Sequence, residues 1–192
     1  MKKLIPLVQI SLDGFVADVN GTFDLFIGGE ENLSFVCGIT DTADAALFGR
    51  VSYQLLNGDW PTAANKPGAT KGMIKYSNWY NRVDKFVLSG TLQQADIVNA
   101  TVINNNIAEE VNAIKNSGNS NKDMLIFGSP STVHTLLELH LIDGFWLIVH
   151  PVLFGTGIPL FRDSASVTSV NLLHTTTLTN GTIIMKYEVA KL

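Results

Sequence analysis

Short apolar runs recur along this chain and alternate with stretches whose apolar residues have helical spacing. The runs predict seven strands: Leu4 to Ser11, Ala45 to Phe48, Lys85 to Ser89, Thr101 to Ile103, Met124 to Phe127, Phe145 to Val149 and Thr182 to Val189. The helical spacing predicts four helices: Glu30 to Cys37, Val51 to Leu56, Asn106 to Asn116 and Ser131 to His140. Alternating strands and helices are typical of an α/β fold with a mainly parallel sheet and helices on both faces.

Two segments depart from this regular alternation. The last run, Thr182 to Val189, places its polar residues on one face, which predicts an antiparallel edge hairpin with Phe145 to Val149 or nearby as its neighbour. Gly58 to Tyr80 has no clear periodicity. A segment of that length is usually a lid, a binding loop or an undetected helix, and Lys75 to Asn81 is the candidate for such a helix.

The run from Met124 to Phe161 is the most informative part of the chain. It predicts a strand, the small polar turn Gly128-Ser129-Pro130, a helix and a second strand, which together form a βαβ unit. In such a unit the strand-to-helix turn lies at the carboxyl edge of the sheet, where the first N–H groups of the helix attract anions. Because a side chain at Gly128 would lie where a phosphate approaches, the pattern predicts a phosphorylated ligand.

Two further strand ends carry turns of the same kind. Gly49 allows a sharp bend, and Arg50 could hold a phosphate through two hydrogen bonds, although it could equally be a surface arginine. A positive charge is unfavourable at a helix N-terminus, which favours a bound anion there. Ser89, Gly90 and Thr91 follow the third strand. Neither GxGxxG nor GxxxxGK[ST] is present, but three such turns at one edge predict a dinucleotide.

Asp13 and Gly14 end the first strand, at the sheet edge where α/β proteins bind ligands. Asp-Gly is also the commonest turn dipeptide, and this motif alone favours the turn. The segment from Pro151 to Phe161 holds two glycines between two prolines. We expect it to be mainly architectural, since Pro151 ends a strand ladder and the glycines allow tight turns.

Composition narrows the function classes. The chain has 192 residues, of which 46% are hydrophobic and 16% charged, as expected for a single domain over residues 1–192. Its net charge of −4 argues against nucleic acid as a partner. One cysteine, Cys37, excludes an intrachain disulfide and is expected in the core, and four scattered histidines predict no metal site. No apolar run predicts a membrane span or a signal peptide, so we expect a cytoplasmic protein.

Five blocks of the sequence resemble the dihydrofolate reductase-like superfamily. The closest match is the branch of the reductase (RibD C-terminal) domain of bifunctional riboflavin biosynthesis proteins and its stand-alone relatives. The blocks are SLDGFVAD (Ser11 to Asp18), DAALFGRVSYQ (Asp44 to Gln54), KFVLSGTL (Lys85 to Leu92), IFGSPSTVHTLL (Ile126 to Leu137) and LIDGFWLIVHPVLFGTGIPLF (Leu141 to Phe161). The resemblance implies a mixed, mainly parallel sheet flanked by helices, with an antiparallel C-terminal strand. It also implies hydride transfer from NADPH, with NADH as the alternative, to a C=N or C=O bond.

The resemblance also implies roles for single residues. Gly49 and Arg50 would hold cofactor phosphates, and Gly128 and Ser129 would hold the pyrophosphate. The turn from Ser89 through Gly90 to Thr91 would meet the adenosine 2′-phosphate region. Asp13 would lie near the nicotinamide and the substrate and supply a proton directly or through water.

Departures from the family pattern keep a second function open. Relatives commonly carry arginine where this chain has Gly90, which puts the preference for NADP over NAD in doubt. They also commonly carry an acidic residue where this chain has Gly144. No deaminase domain precedes the reductase-like part, which predicts a stand-alone protein and not a complete riboflavin-pathway enzyme. We expect a reductase of a small heterocyclic (pteridine- or pyrimidine-like) or ribosyl substrate. The alternative is a non-catalytic nucleotide-binding module with the same fold.

A homodimer is the expected assembly. Phe145, Trp146, Phe154 and Phe161 are predicted in a sheet-edge region that includes the last strand, Thr182 to Val189. An exposed edge and an apolar patch are liabilities for a monomer, and a two-fold dimer would cover both. Related reductase domains pair through this part of the sheet, as the resemblance implies.

Overall fold

A computed structural model describes residues 1–22, 24–117, 122–162 and 167–190. The strands in these residues are β1 (Leu4–Ser11), β2 (Phe15–Ala17), β3 (Ala43–Gly49), β4 (Asp84–Leu88), β5 (Thr101–Ile103), β6 (Asp123–Phe127), β7 (Gly144–His150), β8 (Ile158–Pro159), β9 (Val170–Thr177) and β10 (Ile183–Val189). The α-helices are α1 (Glu30–Thr40), α2 (Arg50–Ala63), α3 (Lys71–Arg82), α4 (Ile107–Asn116) and α5 (Pro130–Glu138). None of these helices is both long and apolar enough to cross a membrane.

Eight of the strands form one mixed sheet in the order β5-β4-β3-β6-β1-β7-β10-β9. The six strands from β5 to β7 are parallel, whereas β10 runs antiparallel to β7 and β9 antiparallel to β10. The predicted mixed, mainly parallel sheet is therefore confirmed. Strands β2 and β8 pair with each other beside it and join the loop after β1 to the loop after β7.

Two apolar cores lie on opposite faces of the sheet. Successive side chains of a strand point to opposite faces, so Leu4 and Val8 of β1 join one core while Ile5 and Leu7 join the other. Helices α1 and α3 cover the face of Ile5, and α4 and α5 cover the face of Leu4. Cys37 of α1 is 1% exposed, as expected for a core cysteine.

Most of the stretch from Gly58 to Tyr80 is helical. Helix α2 continues to Ala63, and α3 begins after Thr70, whose hydroxyl accepts a hydrogen bond from the backbone N–H of Met73 at 3.2 Å. The candidate helix Lys75 to Asn81 is confirmed but starts earlier. Its buried positions are filled by Gly, Ser, Tyr and Trp rather than aliphatic residues, which weakens the helical signal in the sequence.

The edge of the sheet differs from the prediction. Strand β10 does pair with β7, as predicted, but β9 lies outside it and forms the edge of the hairpin. Nearly all of β9 is exposed, so its sequence lacks the alternation that marks a half-buried strand. The predicted edge position of Phe145 and Trp146 is wrong, because β7 lies two strands inside β9. Phe145 is buried within this chain.

Candidate functional site

The three predicted turns meet at one edge of the sheet. Strands β4, β3 and β6 are parallel neighbours, so their carboxyl ends share an edge. Gly49 pairs with Leu88, immediately before Ser89, and Phe48 pairs with Phe127, immediately before Gly128. The predicted convergence of the turns at Gly49, Ser89 and Gly128 is confirmed.

The turns at Gly49 and Gly128 touch each other. A Cβ atom on Gly49 would lie 2.0 Å from Ser129 Oγ and 2.8 Å from Thr132 Oγ1, so no larger side chain fits there. Gly128 has a φ of +56°, and a Cβ atom there would lie 2.9 Å from Ser52 Oγ. The space beside Gly128 is thus occupied by Ser52, and the positive φ also favours glycine here. The phosphate approach at Gly128 stays a prediction.

Two helix N-termini open at this contact. Gly49 caps α2 and Ser129 caps α5, and neither cap residue accepts a hydrogen bond from the first N–H groups of its helix through a side chain. The Ser129 hydroxyl instead pairs with Thr132 Oγ1 at 2.9 Å. Neither first turn contains an acidic residue. Unpaired N–H groups and two helix dipoles therefore make this edge favourable for a phosphate or pyrophosphate.

Arg50 adds a positive charge at the same edge. Its side chain is exposed, and Nη1 donates a hydrogen bond to Gln54 Oε1 at 3.1 Å, one turn further along α2. The dipole of α2 disfavours a cation at this position, whereas a bound anion would favour it. Arg50 is therefore placed to pair with a phosphate.

The turn after β4 is closed by its own serine. Ser89 Oγ accepts hydrogen bonds from the backbone N–H groups of Thr91 at 3.2 Å and Leu92 at 3.0 Å. Gly90 and Thr91 are exposed. A Cβ atom on Gly90 would meet no atom within 4 Å, so the backbone leaves room for a larger side chain at this position.

Asp13 connects the end of β1 to the loop after β7. Its Oδ1 accepts hydrogen bonds from Ser11 Oγ at 2.6 Å and the Phe154 N–H at 3.2 Å, and its Oδ2 accepts one from the Gly155 N–H at 2.8 Å. The Ser11 hydroxyl, followed by these backbone donors, holds the pKa of the carboxyl below its usual range. The predicted Asp-Gly turn is confirmed by a 3.0 Å bond from the Gly14 N–H to the Ser11 carbonyl. The catalytic role of Asp13 stays a prediction.

The architectural role expected for the segment from Pro151 to Phe161 agrees with its contacts. It forms β8, donates hydrogen bonds to Asp13 from the Phe154 and Gly155 N–H groups, and places its Leu160 carbonyl 2.6 Å from His134 Nε2. This strand pairing and these hydrogen bonds hold the loop against the end of β1.

Sequence reasoning missed Gln9 and His150. Gln9 is exposed in the middle of the sheet, although its strand neighbours are buried. Its Oε1 lies 2.9 Å from Nε2 of His150, whose side chain is fully buried. Phe26 stacks on His150 with ring centroids 4.6 Å apart, and burial lowers the pKa of His150 to about 4. A glutamine inside the apolar run from Leu4 to Ile10 was the available signal.

Ser52 and Thr132 were also missed, because only the meeting of the two turns brings them into the site. Metal chemistry gains no support from the described residues, where no group of three or more His, Cys, Asp or Glu side chains could hold an ion.

The sequence profile of the RibD C-terminal domain family matches residues 2–184 of the chain. The chain belongs to this family. It is 32% identical over 190 residues to the uncharacterized protein YyaP of Bacillus subtilis (strain 168), a match that covers 97% of this chain and 95% of YyaP. It is also 26% identical to YwjB of the same organism over 177 residues, or 89% of each chain.

Solved structures share the fold of this family member. A Shewanella sp. PV-4 protein named for riboflavin biosynthesis superposes with a TM-score of 0.70 at 20% identity, covering 98% of this chain and 99% of that one. A pyrimidine reductase-like protein of Corynebacterium diphtheriae gives a TM-score of 0.66 at 16% identity, covering 99% and 92%. At these identities the similarity establishes the fold alone.

Proposed function

We propose that this protein is an NAD(P)H-dependent reductase of a small heterocyclic, pteridine- or pyrimidine-like, or ribosyl substrate. The observation that carries the proposal is the contact between the turns at Gly49 and Ser129, which brings two helix N-termini without side-chain caps to one sheet edge beside Arg50. Membership of the RibD C-terminal domain family supports it.

The residues at this edge fit the phosphates of a dinucleotide. The first N–H groups of α2 and α5 would hold the pyrophosphate, and Arg50 would pair with one of its charges. The exposed turn at Gly90 and Thr91 would face the adenosine end. The nicotinamide end would then extend in the other direction along the edge, over β1. A reduced nicotinamide supplies the hydride for a C=N or C=O bond, and the protein orients the two reactants.

Gly90 bears on the choice between the two dinucleotides. An arginine at this position, which the family resemblance implies for relatives, would pair with a 2′-phosphate, and this chain has no side chain there. The family resemblance makes NADPH the proposed cofactor, and the missing side chain at Gly90 is the reason that NADH is the alternative.

A second candidate is a non-catalytic module that binds the nucleotide only. The state of Asp13 favours it, because a carboxylate that accepts three hydrogen bonds and has a lowered pKa is a poor proton donor at neutral pH. The two candidates share the dinucleotide and differ in turnover.

Titration of the purified protein with NADPH and with NADH, followed by nicotinamide fluorescence, tests the shared step. Saturable binding of at least one dinucleotide is expected. If neither NADPH nor NADH binds, both candidates are refuted. Oxidation of the bound dinucleotide in the presence of a panel of pterin and pyrimidine compounds would identify a reductase. If the dinucleotide binds but is not oxidised with any of these compounds, nor with a panel of ribosyl compounds, the result favours the non-catalytic module.

Replacing Arg50 tests its contribution to the phosphate site. Arg50→Ala is expected to weaken binding of the dinucleotide by roughly 1–3 kcal/mol, the usual worth of a hydrogen bond to a charged group. Arg82→Ala is the control, because Arg82 is an exposed arginine at the end of α3, before β4 begins, at the opposite edge of the sheet. Equal dissociation constants for the two variants would make Arg50 an ordinary surface residue.

A further inference from the structure

Gln9 occupies an unusual place for an exposed polar side chain. It lies in β1, between β6 and β7, near the centre of the eight-stranded sheet. Leu7 pairs with Phe127, so Gln9, two residues further along, lies level with the turn at Ser129. The side chain is therefore one strand away from the proposed pyrophosphate site.

His150 holds the amide of Gln9 in one orientation. Gln9 Oε1 can only accept a hydrogen bond, so its 2.9 Å contact with His150 Nε2 is a hydrogen bond in the ring tautomer that carries its proton on Nε2. Among the described residues the other ring nitrogen, Nδ1, has no hydrogen-bond partner although it is buried. A neutral ring with its proton on Nε2 satisfies this contact, and the lowered pKa of His150 agrees with a neutral ring.

Aromatic packing around His150 adds to this restraint. The ring is packed beneath Phe26, and Phe26 in turn stacks on Phe154 with ring centroids 5.2 Å apart. With Oε1 directed at His150, the amide Nε2 of Gln9 and its two hydrogens are left for the exposed side. Within the described part of the chain no hydrogen bond engages this nitrogen.

We propose that Gln9 orients a planar ring that binds at this edge of the sheet, by donating a hydrogen bond from Nε2 to a carbonyl oxygen on that ring, and that His150 is the positioning residue that fixes the amide. This inference rests on the proposed reductase function and adds a recognition group to it. A preoriented donor of this kind favours ligands with an oxygen acceptor and disfavours those with a donor at the same place.

Two ring systems could supply the oxygen. Neighbouring strands are about 4.8 Å apart, so a nicotinamide one or two strand spacings from the pyrophosphate would lie over β1, with its carboxamide within reach of Gln9. An oxo-heterocycle stacked on the nicotinamide as substrate presents the same chemistry. The test therefore needs one arm for each source.

Gln9→Glu is the informative variant. It keeps an oxygen to accept from His150 and replaces the outward N–H donors with a second acceptor. In the first arm, binding of NADPH and of 2′-phospho-ADP-ribose, which lacks the nicotinamide, is compared, with NADH and ADP-ribose as the second pair. If Gln9 binds the carboxamide oxygen, Gln9→Glu weakens binding of the dinucleotide about tenfold more than it weakens binding of the truncated ligand. The truncated ligand carries the same phosphates, so its binding reports the effect of the added charge alone.

In the second arm, lumazine, which carries oxo groups, is compared with 2,4-diaminopteridine, which carries amino groups at the same positions. If Gln9 binds the substrate ring, the wild type prefers lumazine and Gln9→Glu reverses the preference. Gln9→Met, which can neither donate nor accept, should lose the preference without reversing it.

The tautomer of His150 is measured separately, by the nitrogen chemical shifts of its ring in labelled protein. A proton on Nε2 at neutral pH is expected in the wild type and in Gln9→Glu. A proton on Nδ1 in the wild type would overturn the assignment of His150.

The two arms separate the possible failures. A selective effect in either arm supports the role of Gln9 and identifies the ring, whereas no effect of Gln9→Glu in either arm overturns it. If no dinucleotide binds the wild type but the pteridine preference reverses, the cofactor proposal fails and the role of Gln9 stands.

Discussion

Gly49 and Gly128 bring two turns of the candidate site together by lacking side chains. Ser129 and Thr132 fill the space where a Cβ atom of Gly49 would lie, and Ser52 fills the space beside Gly128. Gly90, in the third turn, has open space around it. These glycines therefore differ in what they do, although each follows a strand of the same sheet.

Gly49→Ala is expected to destabilise the protein by roughly 1–3 kcal/mol, because the new methyl group must displace Ser129 and Thr132. Displacing the turn of α5 should also weaken binding of the dinucleotide. Gly90→Ala is the control and should change the free energy of unfolding by less than about 0.5 kcal/mol. Urea denaturation measures both, and equal midpoints would show that the two turns can separate without cost.

His150 links the pH to the stability of the fold. Burial lowers its pKa to about 4 from the ordinary value of 6.5, so between these values the unfolded chain binds a proton that the folded protein does not. The contribution of the neutral His150 ring to the free energy of unfolding is complete above the ordinary pKa of 6.5. It is lost as the pH falls towards the pKa of about 4 in the folded protein. The full loss amounts to about 3 kcal/mol.

The free energy of unfolding is therefore expected to fall between about pH 6.5 and pH 4 in the wild type. His150→Gln, which cannot titrate, should remove most of that fall. His140→Asn is the control, since His140 is exposed and its φ of +54° suits asparagine. Urea denaturation at several pH values measures the slope, and an unchanged slope in His150→Gln would contradict the assignment to His150.

Among the elements, α4 is joined to the sheet by a buried ion pair. Lys115 Nζ donates to Asp143 Oδ2 at 2.6 Å and to the Leu141 carbonyl at 2.9 Å. The same Asp143 oxygen accepts the Leu4 N–H at 2.7 Å. The Lys115 side chain is 5% exposed, so the pair is largely withdrawn from water and connects α4, the start of β1 and the residue before β7.

Lys115→Met is expected to cost roughly 2–4 kcal/mol of stability, because Asp143 loses its charged partner in a poorly hydrated place. Lys75→Met breaks the ion pair with Asp41, in which both side chains are about half exposed, and should cost clearly less. Guanidinium denaturation compares the two variants. Similar losses would show that Asp143 is better hydrated than its partners suggest.

At the scale of the whole molecule, β9 leaves one edge of the sheet open. In the described residues it pairs only with β10, and its Val170, Leu172 and Leu173 are 42%, 54% and 52% exposed. An edge strand with exposed apolar side chains is a site for association between chains. The homodimer prediction now rests on β9, since Phe145 is buried and β7 lies inside the sheet.

Light scattering at micromolar concentration is expected to give twice the chain mass of 20.9 kDa. The interface should be two-fold symmetric and bury more than about 1,000 Å² in total. The double variant in which lysine replaces both Leu172 and Leu173 should be monomeric. Val98→Lys, at an exposed position near the opposite edge strand, β5, should remain dimeric. A monomeric wild type would refute the dimer, and an unaffected double variant would place the interface elsewhere.

Local pattern was enough for most elements and for the turns. Strands β1 and β5 have the predicted bounds, and the other predicted strands and helices lie where expected, because burial imposes a period of two or 3.6 on the residues themselves. Gly49 and Gly128 were recognisable because strand-to-helix turns need small residues. The pattern failed for β9, which is exposed and therefore carries no such period.

Only the tertiary structure decided which of these pieces meet. Gln9 and His150 are 141 residues apart in the chain, and the order of the strands alone places them side by side. In the same strand order, β7 lies inside the sheet, so Phe145 is in the core and not at the expected edge. Since β1 and β7 are neighbours, Asp13 lies beside the loop at Gly155. The local sequence determines the period of each element, whereas contacts between distant residues depend on how the whole set of apolar faces is buried together.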